Sequence, residues 1–184
     1  MKQLNNATKI VARILEIAHW VGAVLMIAVA ICAKAAPQQL GHFMDIDTVG
    51  AEGKVSAYGF EVTLTNSTGQ INMTTLLLMA IGAVIIFALM AMVFRNIYLI
   101  MKKSENASPF QKDNVRMVRE IGIFSIAIPV VGLIMSVITR LAVGVDATEV
   151  SVNLSGFFTG IVILSLSQVF AHGVALEQDV DGLL

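Results

Sequence analysis

The fold is decided by residues 94–122, FRNIYLIMKKSENASPFQKDNVRMVREIG, a polar stretch that lies between two long apolar runs. The run before it, Leu76–Phe94, has 19 residues without a charged side chain, and the run after it, Ile121–Thr139, has another 19. At 1.5 Å of rise per residue, a helix of that length covers about 28 Å, which is close to the thickness of the hydrocarbon core of a bilayer. The polar stretch is therefore predicted to join two transmembrane helices.

The composition of the chain is that of an integral membrane protein. Of its 184 residues, 57% are hydrophobic and 14% are charged, whereas soluble domains carry about 25% charged residues. With two further apolar runs, the pattern predicts an all-α membrane protein, a four-transmembrane-helix bundle that forms one domain over residues 1–184. The predicted helices cover about 10–33, 73–100, 115–139 and 154–177. The remaining segments are an outer loop at 34–72, a cytoplasmic loop at 101–114 and a cytoplasmic tail at 178–184.

The distribution of basic residues predicts the orientation of these helices. Lys and Arg in short loops remain on the cytoplasmic side of a membrane. If both termini are cytoplasmic, nine of the 12 basic residues lie inside and three lie outside. The nine are Lys2, Lys9, Arg13, Arg95, Lys102, Lys103, Lys112, Arg116 and Arg119. We therefore expect a multi-pass protein of the cell membrane with both termini in the cytoplasm.

The outer loop is the only sizeable segment that is predicted to lie outside the membrane. Residues 55–65, VSAYGFEVTLT, alternate apolar and polar side chains around a glycine, which predicts a small β-hairpin at the membrane surface. His42, Asp45 and Asp47 are close together in this loop, but they form a weak metal pattern, and we interpret the loop as solvated. The small residues of CAKAA at 32–36 resemble a signal-peptide cleavage site, but the long basic start favours a retained first helix.

The third helix has a predictable start and an unusual centre. Asp113 or Asn114 is a suitable N-cap, and Arg116 and Arg119 then fall on the first exposed turn. Pro129 lies in the middle of the helix, where it removes one backbone hydrogen bond and is expected to introduce a kink.

The predicted spans contain no pattern of catalytic or transport chemistry. The apolar cores of the second, third and fourth helices hold no ionisable residue, which argues against a proton-coupled transporter because such residues mark ion routes. Glu16 and His19 in the first helix are near a membrane face, and we interpret them as interfacial, with Arg13 as a partner. No nucleophile–base pair, phosphate-binding glycine loop or zinc pattern is present. We therefore expect no enzymatic activity, no catalytic residue, no metal and no cofactor.

The fourth helix carries two glycines that are suited to close helix packing. Gly156 and Gly160 lie one turn apart, and Gln168 lies on an adjacent face. One interpretation is a homo-oligomer in which Gln168 hydrogen bonds across the interface; the other, which we favour, is packing within the bundle. An alternative function, a small transporter or channel-like oligomer, would be lined by Ser165, Ser167 and Gln168.

Several residues of the polar stretch form a pattern that extends to the end of the fourth helix. FRNI ends the second helix, a Pro-Phe pair and an Arg-x-Ile-Gly sequence lead into the third, and Phe-x-x-Gly-x-x-Leu followed by acids ends the fourth. The positions are Phe94, Arg95, Asn96, Ile97, Pro109, Phe110, Asn114, Val118, Arg119, Ile121, Gly122, Phe170, Gly173 and Leu176. This pattern is similar to that of a bacterial membrane family catalogued as domain of unknown function 2975.

The resemblance covers residues 74–184 well and the outer loop poorly, and His172 stands where Arg or another polar residue is expected. It implies a four-helix protein of the bacterial inner membrane, without an established activity, that is often encoded beside a small helix-turn-helix transcription regulator. On that basis we expect the chain to bind or modulate such a regulator in the cytoplasm, without itself contacting nucleic acid.

The docking face for this partner would be shaped by residues of the polar stretch. They are Arg95, Asn96, Pro109, Phe110, Asn114, Arg116 and Arg119. A simpler interpretation of the same basic residues is that they fix topology and attract anionic lipid headgroups, each contributing about 1 kcal/mol near the surface. A third hypothesis is that the chain is a structural subunit of a larger membrane complex.

Overall fold

The described residues form four long helices, one small hairpin and a short 3-10 helix at Val145–Ala147. The computed structural model describes residues 2–35, 54–57, 60–65, 71–105, 111–150 and 153–181. The helices are α1 at Lys2–Ala35, α2 at Met73–Lys103, α3 at Lys112–Val143 and α4 at Leu154–Asp181. Each contains a segment long enough and apolar enough to cross a membrane. The predicted all-α membrane architecture with four transmembrane helices is confirmed.

Helical structure continues beyond the apolar runs from which the spans were predicted. α1 begins at Lys2 and α3 at Lys112, because polar residues extend a helix past the hydrocarbon without losing backbone hydrogen bonds. Asp113 and Asn114 consequently lie inside the first turn of α3, which corrects their prediction as N-caps. α3 is also continuous through Pro129.

The start of α2 has a clear capping residue. The Asn72 side-chain oxygen accepts hydrogen bonds from the backbone N–H groups of Thr74 at 3.0 Å and Thr75 at 3.3 Å. Asparagine is among the best N-cap residues because it satisfies donors that have no partner within the helix. This cap fixes α2 to begin at Met73.

The predicted β-hairpin between the first two helices is confirmed. Strands β1 at Lys54–Ala57 and β2 at Phe60–Thr63 pair antiparallel. Phe60 and Val62 are buried while Glu61 and Thr63 are only partly covered, so one face of β2 packs inward. A one-residue slip would expose that apolar face, and its burial therefore fixes the register. The Phe60 ring packs against α2 at Gly82, where an added Cβ would lie 3.1 Å from it.

Glycines bring α3 and α4 into close contact. A Cβ added to Gly122 would lie 2.8 Å from the Leu164 side chain, and one added to Gly160 would lie 2.9 Å from the Gly122 carbonyl oxygen. Small residues stabilise membrane helices because they let the backbones approach and increase van der Waals contact. Gly160 thus packs within the chain, against a glycine that ends the polar stretch.

The four helices differ in how much of their surface the chain itself covers. In the apolar segments of α2 and α3, 39% of the residues are buried, whereas in those of α1 and α4 only 11% are buried. The outward apolar side chains of α1 and α4 therefore need another apolar surface, which the membrane supplies.

We expect Gly160→Ala to lower the free energy of unfolding in detergent micelles by about 1–3 kcal/mol, because the added methyl group overpacks the contact with α3. Thr159→Leu, which adds bulk at an exposed position of the same turn, is the control. Equal unfolding free energies for wild type and Gly160→Ala would contradict the described helix contact.

Candidate functional site

Exposed basic side chains gather where α2 ends and α3 begins. We call them the basic end, and they are Arg95, Lys102, Lys112, Arg116 and Arg119. On α2, Lys102 in the last turn favours the helix, because the carboxyl terminus of a helix carries a partial negative charge. On α3 the same dipole opposes Lys112, and only Asp113 in the first turn complements it. The positive charge of the basic end is therefore not explained by the stability of α3.

Ion pairs hold both ends of the α2–α3 connection. The Lys103 ammonium lies 2.7 Å from an Asp113 carboxylate oxygen, which links the end of α2 to the start of α3. Lys9 of α1 forms an ion pair with Glu105, just after α2. Partly exposed pairs of this kind contribute about 0–1 kcal/mol each, so they position the connection rather than stabilise the fold. They also neutralise Lys9 and Lys103, which are therefore not part of the basic end.

A partly buried hydrogen bond connects α2 to α3 near the basic end. The Asn96 side-chain amide is only 5% exposed and donates to Glu120 Oε2 at 3.0 Å. The other Glu120 oxygen lies 3.6 Å from Arg116 Nε. The same carboxylate therefore accepts a hydrogen bond from the buried Asn96 and faces the exposed Arg116 guanidinium. Asn96 thereby positions Glu120, and Glu120 restrains Arg116.

The predicted docking residues consequently divide into three groups. Arg95, Arg116 and Arg119 are exposed and available to a partner. Asn96 and Asn114 are buried, so little of their surface is available to a partner. The remaining two, Pro109 and Phe110, lie outside the described residues.

Three ionisable residues near the middle of α1, Arg13, Glu16 and His19, have partners within the chain. Glu16 is buried and accepts a hydrogen bond from Arg13 Nη1 at 2.7 Å, and the Arg13 guanidinium lies 5.3 Å from the Tyr98 ring centroid. His19 Nδ1 lies 2.7 Å from the Leu15 carbonyl oxygen. A cation over an aromatic ring is favourable, so Arg13 joins α1 to α2 as well as compensating Glu16. These contacts give Glu16 and His19 structural roles.

The polar residues of α4 point in different directions. Gly160 and Ser167 are buried, and Ser167 donates to the Leu164 carbonyl oxygen at 2.7 Å. Ser165 and Gln168 are exposed. Because residues that line one path must share a face, Ser165, Ser167 and Gln168 do not line a single path within the chain. Gly156 lies one turn before Gly160, nearer the start of α4, and is half-buried.

A second polar feature, which the sequence reasoning missed, lies where α2 begins and α3 ends. A cleft of about 500 Å³ is lined by Thr63, Thr65, Asn72, Thr75, Gly144 and Asp146, among others. We call it the polar cleft. Gly144 has φ +132°, a conformation that residues with a side chain rarely adopt, and it turns the chain out of α3 toward Asp146.

Three hydroxyl groups near this feature are buried without a hydrogen-bond partner in the described structure. They belong to Thr75, Ser136 and Thr139, each with 0% of its surface exposed. An unsatisfied buried hydroxyl costs about 1–3 kcal/mol. Ser136 and Thr139 are spaced three residues apart, and Val143 of the cleft wall follows one turn later on the same face. That spacing of polar residues within an apolar run is the signal by which the cleft could have been found.

Four helices that are long and apolar enough to span a membrane, with a small β-hairpin, define the class of this chain as a multi-pass membrane protein. It belongs to the family described as protein of unknown function (DUF2975), whose model matches residues 53–182 and confirms the resemblance found in the sequence. The match includes the hairpin and helices α2 to α4, and leaves α1 outside. No curated protein and no solved structure matches the chain.

The described residues offer no cluster of three metal-ligating side chains. The weak sequence pattern at His42, Asp45 and Asp47 lies outside them.

Removal of the hydrogen bond between Asn96 and Glu120 is expected to destabilise the protein. Asn96→Ala and Glu120→Ala form a double-mutant cycle whose coupling free energy should be about 1.5–3 kcal/mol, because one partner of the bond is charged. The measurement is unfolding in detergent micelles, with the exposed neighbour Arg95→Ala as the control. Additive effects of the two substitutions would show that the bond contributes nothing.

Proposed function

We propose that this chain is a non-enzymatic membrane protein that binds a cytoplasmic protein partner through its basic end, with both of its termini in the cytoplasm. The observation that carries the proposal is the group of three exposed arginines, Arg95, Arg116 and Arg119, of which Arg116 also faces Glu120. The positive-inside tendency supports the orientation, since nine of 12 basic residues then face the cytoplasm.

The geometry of the basic end supports binding to an acidic surface. Arg116 is held beside Glu120 at 3.6 Å, while Arg119 lies three residues further along α3 and is exposed. Side chains at this spacing share one side of a helix and can contact the same partner. Restraint of Arg116 by Glu120 also lowers the entropy lost on binding.

The partner that we propose is a small helix-turn-helix transcription regulator, whose association with such proteins the family resemblance implies. The basic end would contact an acidic surface of the regulator and hold it at the membrane. Binding of this kind depends strongly on electrostatic attraction, so it should weaken as ionic strength rises.

A second candidate function is that of a structural subunit within a larger membrane complex. The observation that favours it is the outward apolar surface of α1 and α4, of whose apolar segments only 11% is buried. Recovery of a defined membrane complex in mild detergent would support this candidate, and a monodisperse single chain would count against it.

The orientation predicts a specific labelling pattern in intact cells. In a Cys32→Ser background, a membrane-impermeant thiol reagent should label Lys54→Cys and leave Lys102→Cys unlabelled until the membrane is permeabilised. Both positions are exposed in the structure, so the difference would reflect the side of the membrane alone. The reverse labelling pattern would place the basic end outside and refute the proposed binding.

Binding to the regulator should depend on the exposed arginines. In a pull-down with the purified regulator encoded beside the gene, we expect Arg116→Ala/Arg119→Ala to weaken binding at least tenfold, because two charged contacts are lost. Arg140→Ala, which removes an exposed arginine from the other end of α3, is the matched control and should bind as the wild type does. Phe110→Ala, at another residue of the predicted docking face, should also weaken binding.

Two results would contradict the proposal: absence of binding by the wild type, or equal binding by the double variant and the wild type.

A further inference from the structure

The polar cleft has the size of a small-molecule site. Its volume of about 500 Å³ lies within the range of roughly 300–1,000 Å³ that is common for ligand pockets. Its walls come from the end of the hairpin, the capped start of α2 and the turn after α3. Asn72 and Gly144 fix two of these walls, one by capping α2 and the other through its positive φ. A ligand would therefore meet a wall that is already formed.

The chemistry of the cleft favours a ligand that donates hydrogen bonds. Thr63, Thr65 and Thr75 contribute hydroxyl groups, and Asp146 contributes an exposed carboxylate, which is the only charged group among the described residues that line the cleft. The Thr75 hydroxyl is buried and has no partner within the described structure. Buried polar groups normally have hydrogen-bond partners, and one that lacks a partner is a departure from this rule that is expected at functional sites.

We infer that the polar cleft binds a small organic cation with the chemistry of an aliphatic amine. An ammonium group donates up to three hydrogen bonds and accepts none, which matches hydroxyl oxygens and one carboxylate. In this arrangement Asp146 pairs with the ammonium group, and Thr75 accepts a hydrogen bond from it once its buried hydroxyl turns toward the cleft. The inference rests on the cleft alone and does not depend on the proposed cytoplasmic partner.

The hydroxyls of Ser136 and Thr139 extend the same chemistry along α3. From Val143 in the cleft wall, Thr139 lies four residues back, or about 6 Å along the helix axis. Ser136 lies a further three residues back, and both hydroxyls are buried without a partner in the described part of the chain. Thr139 and Ser136 thus form a line of hydroxyl groups that runs from the cleft wall toward the start of α3.

The test is calorimetric titration of the purified full chain in detergent with putrescine, a four-carbon diamine. We expect binding by the wild type, about tenfold weaker binding by Asp146→Asn, and about fivefold weaker binding by Thr75→Val, since each substitution removes one contact. The ligand control is 1,4-butanediol, which has the same length but no charge and should bind far more weakly.

Two matched variants control for effects outside the cleft. Glu149→Gln removes a nearby exposed carboxylate that does not line the cleft, and Thr159→Val makes the same Thr→Val change on α4. Both should bind putrescine within about twofold of the wild type. Without ligand, Thr75→Val should also melt at the same temperature as the wild type or higher, because it replaces an unsatisfied hydroxyl with a methyl group.

That melting temperature separates loss of the site from loss of the fold. The inference is overturned if putrescine does not bind, if 1,4-butanediol binds equally well, or if Asp146→Asn and Thr75→Val bind as the wild type does. An effect of Asp146→Asn without any effect of Thr75→Val would indicate a surface counterion and would overturn it as well.

Discussion

In the hydrocarbon core of a bilayer a backbone amide finds no water, so a chain can cross only if its N–H and C=O groups pair within the segment. The helices α2 and α3 meet this constraint over the two 19-residue runs on either side of the polar stretch. Because the hydrophobic effect does not drive helices together within lipid, contact between them depends on close packing. Gly122 and Gly160 supply it for α3 and α4, because a side chain at either position would overlap its neighbour.

The same constraint sorts the polar groups of the chain. Charged side chains concentrate at the basic end, where ion pairs and the bond between Asn96 and Glu120 organise them. Within the apolar lengths the polar groups are mostly hydroxyls, and some of these donate to their own helix, as Ser125 does to the Ile121 carbonyl oxygen. Thr75 does not. Among the described residues, the buried hydroxyls that lack a hydrogen-bond partner are those of Thr75, Ser136 and Thr139, and Thr75 lines the polar cleft.

Much of the architecture could be predicted from the sequence because the relevant signals are local. The length of an apolar run indicates a span, and alternation around a glycine indicated the hairpin. Long-range contacts leave no such local signal: Asn96 and Glu120 are 24 residues apart, and either could have faced solvent. For that reason Asn96 and Asn114 were placed on a docking face although both are buried. Gly160 was recognised as a packing residue, but nothing nearby identified Gly122 as the residue it contacts.

Gly144 has a consequence for the evolution of this chain. An added Cβ there would meet nothing within 4 Å, so crowding does not restrict the position. Its torsion of +132° nevertheless excludes almost every residue except glycine. Substitution at this turn is therefore limited by backbone geometry rather than by space. A homologue without this glycine would need a different backbone conformation after α3, and the wall of the polar cleft beside Asp146 would change with it.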